Sequence, residues 1–312
     1  MTHAVGIDIG GTKTVAGIVD ESGAIRSVMR APTPAAHGAQ AVLDTAVRLA
    51  RQAVEAAEAP VVAVGIGAAG VIDSDRRVVV SATDTLPGWA GTELGAAFEH
   101  AFGVPVAAVN DVHAHAVGEA TFGAGAGLRS TLVAAAGTGI GGAQVIDGAL
   151  ELGAHGVAGH FGHVPAAEAA GLPCTCGRVG HLEMIAAGPA IAAAYQRRMP
   201  HATPIDTREV VALAAAGDQV ACDVVDTASS ALGRALGGLV NAIDPDAVVI
   251  TGGLADAGER WWSGLRAGFA GELMPVLAGC ALEPAVLGSD AAVIGAAVLG
   301  LRRAGFPVGL QR

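Results

Sequence analysis

Asp8-Ile9-Gly10-Gly11-Thr12-Lys13 joins one apolar run, residues 4–9, to a second, residues 14–20. Apolar runs of strand length on either side of a Gly-Gly turn describe a hairpin. A third run after Glu21-Ser22-Gly23 extends it into an antiparallel meander. Adjacent glycines let backbone N–H groups approach an anion closely, and the Thr12 hydroxyl adds a donor. Asp8, near the end of the first run, suits a hard divalent cation held through water. The turn is not a Walker A loop, which needs G-x-x-x-x-G-K-[ST] leading into a helix. Taken alone, a Gly-Gly hairpin is an ordinary turn.

The arrangement returns at residues 130–136, Gly137-Thr138-Gly139-Ile140-Gly141-Gly142 and residues 143–147. A weak internal duplication and two unrelated hairpins account for it equally. A third glycine pair, Gly252-Gly253, closes the apolar run 247–251. Three such turns at strand ends point to nucleotide phosphate and adenosine contacts. Between them, the spacing of Val42, Leu43, Ala46, Val47, Leu49 and Ala50 predicts a helix over 39–58. Strands are expected at 61–66 and 104–109, a short hairpin at 71–80, and helices near 92–102 and from Asp111 onward. The second half reads as helices at 182–198, 207–216, 219–243, 261–269 and 290–303, with strands at 247–251 and 281–287. Alternating elements with glycine-rich strand ends predict two α/β lobes around a cleft. The expected division is a smaller lobe, residues 1–115, to which the helix within 290–312 returns, and a larger one, residues 116–289.

The chain has 312 residues and a formal net charge of −11, from 18 basic and 29 acidic side chains. An apolar content of 52% excludes wholesale disorder. The acidic balance counts against nucleic acid or an anionic membrane as a partner, since either calls for clustered Lys and Arg. No basic segment followed by an apolar one opens the chain, and the longest apolar runs, such as 286–301, are interrupted by Ser289 and Asp290. They fall short of the roughly 20 residues a membrane span needs. The expectation is a soluble cytoplasmic protein. Four cysteines make no disulfide framework; Cys222 and Cys280 read as small core residues. Trp261 and Trp262 read equally as core or as interface.

Asn110-Asp111 follows an apolar strand and opens a helix. Two readings stand side by side: a helix N-cap, or a general base that takes a proton from an alcohol attacking a phosphoryl group. The most unusual stretch is 155–181, which gathers His155, His160, His163 and His181 with Cys174 and Cys176. Cys174-x-Cys176, with His163 before and His181 after, offers a Cys2His2 set suited to a closed, structural zinc site. Gly177 and Gly180 permit the tight turns. A Cys174–Cys176 disulfide is the competitor, but a C-x-C ring is strained and the expected compartment is reducing. Glu183 stands two residues past His181, so the metal would fix the loop that carries it.

DIGGTK at 8–13, Leu86-Pro87-Gly88-Trp89, Asn110-Asp111, GTGIGG at 137–142, His160-Phe161-Gly162-His163 and CTCGRVGHLE at 174–183 follow one another in a familiar order. Order and spacing resemble those of the ROK family of sugar kinases and repressors, over about residues 4–303. The resemblance implies a two-lobe ribonuclease H-like, actin-like ATPase fold with a central cleft, MgATP as phosphoryl donor, and transfer to a hexose hydroxyl, usually on C6. It implies Asp111 as catalytic base with Asn110 as a sugar-hydroxyl ligand beside it. Gly10, Gly11, Thr12 and Lys13 resemble the first phosphate loop, with Asp8 near magnesium. Gly137, Thr138 and Gly139 resemble the second, and Gly252 and Gly253 the adenosine motif. Gly70 corresponds to backbone against the sugar, His163 to a zinc ligand that also neighbours the sugar, and Glu183 to a carboxylate receiving sugar hydroxyls near the anomeric end. The family's oligomers imply a homodimer or homotetramer.

Three positions depart from the family pattern. His181 replaces a third zinc cysteine, a change that keeps tetrahedral geometry. Thr85 precedes Leu86 where a sugar-binding Asn is common. His160 stands where glucokinases of the family carry a Glu, and AGHFGH at 158–163 is instead similar to bacterial N-acetylmannosamine kinases. An ionised Glu only accepts hydrogen bonds, whereas a neutral imidazole donates one and accepts another. An N-acetyl group at C2 brings a carbonyl that a carboxylate cannot satisfy. The expectation is therefore a kinase of N-acetylmannosamine, with glucose or another hexose as the alternative. ROK repressors carry a DNA-binding segment before their D-x-G-G-T motif, which here begins at Asp8, and the charge is wrong for DNA. A binding module without chemistry would lack the base or a phosphate loop. In-line phosphoryl transfer, with lobe closure excluding water, is the expected mechanism.

Overall fold

Short apolar runs broken by glycine build two five-stranded sheets with helices against them. The computed structural model describes residues 1–82, 85–201, 203 and 205–309. β1 (His3–Ile9), β2 (Lys13–Asp20) and β3 (Ile25–Pro32) form the antiparallel meander, with Ile9 opposite Thr14 across the glycine turn. α1 (Ala39–Ala57) follows, and β4 (Ala63–Ala68) then pairs parallel with β1. β5 (Val71–Asp73) and β6 (Val78–Ser81) make a separate ribbon. After α2 (Leu94–Phe102), β7 (Val106–Asn110) pairs parallel with β4 and runs straight into α3 (Asp111–Phe122). The sheet order is β3-β2-β1-β4-β7.

β8 (Ser130–Ala136), β9 (Ile140–Ile146) and β10 (Ala149–Leu150) open the second sheet. The helices α4 (Glu183–Ala186), α5 (Gly188–Arg198), α6 (Thr207–Ala215) and α7 (Gln219–Ile243) come next. β11 (Ala247–Thr251), α8 (Glu259–Glu272), β12 (Ala281–Pro284) and α9 (Ala291–Arg303) complete the chain. The order β10-β9-β8-β11-β12 repeats that of the first sheet: three consecutive strands, then two later ones added beside the first of them. The recurrent glycine hairpin thus belongs to a repeated topology, not to two unrelated turns. Among the described residues, no helix is long and apolar enough to cross a membrane.

The chain divides into two compact units. The first comprises Met1–Thr131, Ala143–Ala158 and Ala285–Arg312; the second comprises Leu132–Gly142 and Gly159–Pro284. α3 lies wholly in the first, so the boundary expected at 115/116 falls inside a helix, and the returning C-terminal segment begins at Ala285. The helix expected over 182–198 is two helices. Ala187 is extended (φ −74°, ψ 156°), and Pro189, lacking an N–H and clashing with a preceding turn, starts a new helix instead of continuing the old one. β9 begins at Ile140, so Gly141 and Gly142 are strand.

In the first unit, alternation along β1 sends Val5, Ile7 and Ile9 into the core shared with α1 and α2, and Ala4 toward α9. α9 reaches the sheet at backbone distance. A Cβ on Gly6 would stand 1.9 Å from Val293 O, and one on Gly65 1.7 Å from Ala296 O. Against α3 the same holds: a Cβ on Gly295 would stand 1.8 Å from Ala114 O. In the second unit, α7 carries a long buried face with Val225, Leu232, Leu236 and Val240, packed with Trp261, Leu265 and Phe269 of α8. Both tryptophans, Trp261 and Trp262, are therefore core residues.

Gly65→Ala forces a methyl onto the α9 backbone, and overpacking of this kind costs about 1–3 kcal/mol or more. Gly238→Ala in α7, where nothing stands within 4 Å of the added carbon, gains about 0.5–1 kcal/mol from helix propensity. Urea unfolding of both variants will show shifts of opposite sign.

Candidate functional site

Two carboxylates mark the ends of parallel strands in the first unit. Asp8 lies opposite Gly67 of β4, Gly67 lies opposite Val109 of β7, and Asp111 opens α3 one residue beyond β7. Asn110, not Asp111, is the N-cap: its Oδ1 accepts from Val112 N–H at 2.9 Å. Its Nδ2 donates to Gly70 O at 2.9 Å. Gly70 has φ +102°, and a Cβ there would stand 2.4 Å from Ser81 O, so only glycine presents this carbonyl to Asn110. The amide thus aligns the backbone at 70 with the start of α3, while Asp111 sits in the helix's first turn. Burial, and then the neighbouring Asp111, push the Asp8 carboxyl up to about 7, against the opposing pull of the Lys13 ammonium. A pair of carboxylates that resist joint ionisation is a donor set a hard cation would relieve.

The turn after β1 is tied down from below. Gly10 N–H donates to Lys13 O at 3.0 Å, Thr33 N–H to Thr12 O at 3.0 Å, and Thr33 Oγ1 to Gly10 O at 2.7 Å. Gly11 and Thr12 form its tip, with Thr12 exposed and Lys13 exposed at the start of β2. Thr85 lies against this tip, its Oγ1 3.7 Å from where a Gly11 Cβ would be.

The second unit holds the matching turn after β8. Gly137 N–H donates to Gly139 O at 3.0 Å, and Gly188 N–H to Gly137 O at 2.8 Å. Glu183 Oε2 accepts from Ile140 N–H at 3.0 Å. Gly252, with φ +90°, follows β11, and Gly253 N lies 3.8 Å from where a Gly137 Cβ would be. Gly137, Thr138 and Gly139 therefore adjoin Gly252 and Gly253, because β8 and β11 are neighbours in the sheet.

Residues 160–183 form a knuckle in the same unit. Bridges pair Pro165 with His181 and Pro173 with Val179, and Gly177 and Gly180 take positive φ of 85° and 81°. Ligand atoms of His163, Cys174, Cys176 and His181 all lie within 4.8 Å of one another. Cys174 Sγ is 3.6 Å from His163 Nδ1, and Cys176 Sγ is 3.3 Å from His181 Nδ1. Bonds of about 2.3 Å to sulfur and 2.0–2.1 Å to nitrogen give tetrahedral S···N edges of about 3.6 Å, so the set fits a metal of that geometry. His160 is exposed beside it, its ring 6.5 Å from that of His163 and nearly parallel.

The residues singled out from sequence thus gather in two groups. Asp8, Gly10, Gly11, Thr12, Lys13, Gly70, Asn110 and Asp111 belong to the first unit; Gly137, Thr138, Gly139, His160, His163, Cys174, Cys176, His181, Glu183, Gly252 and Gly253 belong to the second. Two buried polar residues escaped the sequence reading. His113 places Nε2 2.9 Å from Ala158 O, two residues before His160, and Glu119 accepts from Ala124, Val286 and Leu287 N–H groups. α3 also carries Asp111, His115 and Thr121, so neither stands out in its sequence.

The sequence profile of the ROK family matches residues 4–303. The chain is 35% identical to a glucokinase of Streptomyces coelicolor, over 96% of this chain and 98% of that one. It is 34% identical to an N-acetylmannosamine kinase of Citrobacter koseri, over 94% and 97% of the two chains. A solved structure of a ROK family glucokinase from Streptomyces griseus, in complex with glucose and AMPPNP, superposes with a TM-score of 0.81 at 33% identity, covering 96% of this chain and 99% of that one. With its repeated sheet topology and glycine turns at corresponding strand ends, the chain has the actin-like ATPase fold and belongs to the ROK family.

Proposed function

We propose that this protein is a cytoplasmic ATP-dependent sugar kinase that transfers the γ-phosphoryl group of MgATP to the 6-hydroxyl of a hexose, with N-acetylmannosamine as its substrate. The observation that carries the reading is Asp111, held in the first turn of α3 by an Asn110 amide that is bonded on both sides. Asp111 Oδ1 itself accepts from Val112 N–H at 3.0 Å, and a carboxylate so placed takes the proton of the attacking hydroxyl as the new O–P bond forms. The Gly10–Gly11–Thr12 and Gly137–Thr138–Gly139 turns offer backbone donors to phosphate oxygens, where negative charge shifts during transfer. Lys13 adds a point charge at the first turn, and the Gly252-Gly253 pair gives the adenosine room against the backbone. When bound, magnesium neutralises the charge on the phosphates; Asp8, through water, is its proposed anchor.

Asp111→Ala will lower kcat by about 10²–10⁴-fold, the usual worth of general base catalysis, while leaving the fold intact. Steady-state rates within a few-fold of wild type would remove Asp111 from that role.

For the sugar, His160 favours a 2-acetamido group, because its imidazole supplies a donor that a carboxylate lacks. Similarity to the Citrobacter koseri N-acetylmannosamine kinase supports this choice. Glucose is the second reading, favoured by the slightly higher identity to the Streptomyces coelicolor glucokinase. A panel of N-acetylmannosamine, N-acetylglucosamine, glucose, mannose and fructose, read by ADP release, decides between them. N-acetylmannosamine will give the highest kcat/KM, and His160→Glu will shift preference toward glucose; a variant with the wild-type preference leaves His160 without a selective role.

The metal in the knuckle is proposed to be zinc, held by His163, Cys174, Cys176 and His181 with no open position for a reacting group. It shapes the loop before Glu183. Cys176→Ala will lose the metal by elemental analysis and weaken sugar binding by calorimetry. Sugar binding of wild-type strength in the metal-free protein would contradict that structural role.

A further inference from the structure

The turn at 137–140 is held from both ends by one short segment. Glu183 Oε2 accepts from Ile140 N–H at one end, and Gly188 N–H donates to Gly137 O at the other. Between these contacts lie only α4 and the extended residue Ala187, with Ala187 N–H returning to Glu183 O at 3.2 Å. The break at Ala187, imposed by Pro189, frees Gly188 N–H from helical pairing. Upstream, Leu182 N–H donates to Val164 O and Ala166 N–H to Gly180 O, at 2.9 and 3.0 Å, so the brace grows directly out of the metal-binding knuckle. A Cβ on Gly139 would stand 2.7 Å from Glu183 Oε2. Glycine there lets the carboxylate lie across the turn.

We propose that Glu183 is a positioning residue for the second phosphate loop: its carboxylate fixes the Ile140 N–H, and so the turn that receives the nucleotide. This inference rests on the kinase reading and adds to it a task distinct from receiving sugar hydroxyls. One carboxylate can hold both tasks, since it has about four acceptor positions and the bond to Ile140 uses one. The proposal assigns that bond to nucleotide affinity and the remaining positions to the sugar.

The test separates the two by measuring nucleotide binding with no sugar present. MgADP is titrated calorimetrically into wild type, Glu183→Gln, Glu183→Asp and Glu183→Ala, each checked for metal content, with amide exchange of Ile140 followed in parallel. Gln keeps an acceptor at the right reach and will bind MgADP within about threefold of wild type. Asp keeps the charge but falls one methylene short, and Asp and Ala will each weaken MgADP by about tenfold, the scale of a hydrogen bond to a charged group. Ile140 exchange will accelerate in Asp and Ala and stay slow in Gln. Equal MgADP affinity in wild type, Asp and Ala overturns the proposal, as does an equal loss in Gln and Ala. Failure of wild type to bind MgADP overturns the kinase reading instead.

Discussion

The backbone of α9 touches the first sheet with no side chain between them, and the chemistry of the first unit hangs on that contact. Gly6 of β1 and Gly65 of β4 leave the space that Val293 and Ala296 carbonyls occupy. Asp8 lies two residues past Gly6, and the carbonyl of Gly70 lies a few residues past Gly65. The same helix meets α3 through Gly118 and Gly295, so the helix that begins at Asp111 is seated by it as well. Interiors packed at this density transmit small displacements instead of absorbing them. Misplacing a reacting group by about 1 Å costs a large factor in rate. A segment near the C-terminus therefore sets the geometry of groups that the chain made far earlier.

The second unit reaches the same end by other means. The stretch from residue 159 to residue 181 contains little regular structure and few large apolar side chains, so it is poorly ordered by burial alone. The zinc proposed for two thiols and two imidazoles within ligand distance would replace that missing core, since metal binding free energy is folding free energy where the site forms only in the folded state. Order gained at the knuckle then passes through Leu182 and Glu183 into the turn after β8. Hydrogen bonds hold both glycine turns; close packing of α9 backs the sheet that carries the first, and the His/Cys knuckle braces the second.

This difference explains what could be read from the sequence. The meander, the buried face of α1, the bounds of α7 and the His/Cys cluster all follow from residues near one another in the chain, and each is legible as spacing. The approach of α9 to Gly6 and Gly65 is not, because nothing local marks a glycine as the partner of a helix more than 200 residues later. The break at Ala187 has a local signal, since Pro189 cannot continue a helix; what no local pattern marks is the distant Gly137 carbonyl that receives the freed Gly188 N–H. The division at 115/116 failed because α3 takes its unit from α9, not from its neighbours in sequence. Glu183 was legible as a carboxylate beside a metal loop, but its bond to Ile140 joins residues brought together only by the fold.

The knuckle also bears on how the sugar is chosen. Phe161 is buried, and Gly162 lies so close to β9 that a Cβ on it would stand 2.1 Å from Ile140 O. Ile140 is also the residue whose N–H Glu183 holds, so the backbone after His160 is fixed against the strand that leaves the turn. The His160 side chain itself is exposed and packs into no core. Its ring lies 6.5 Å from that of His163 and nearly parallel to it, so a change of side chain at 160 bears on that imidazole without entering the core. If His160 selects the sugar as proposed, that choice rests on a surface side chain of the knuckle, apart from the turn proposed to take the phosphates.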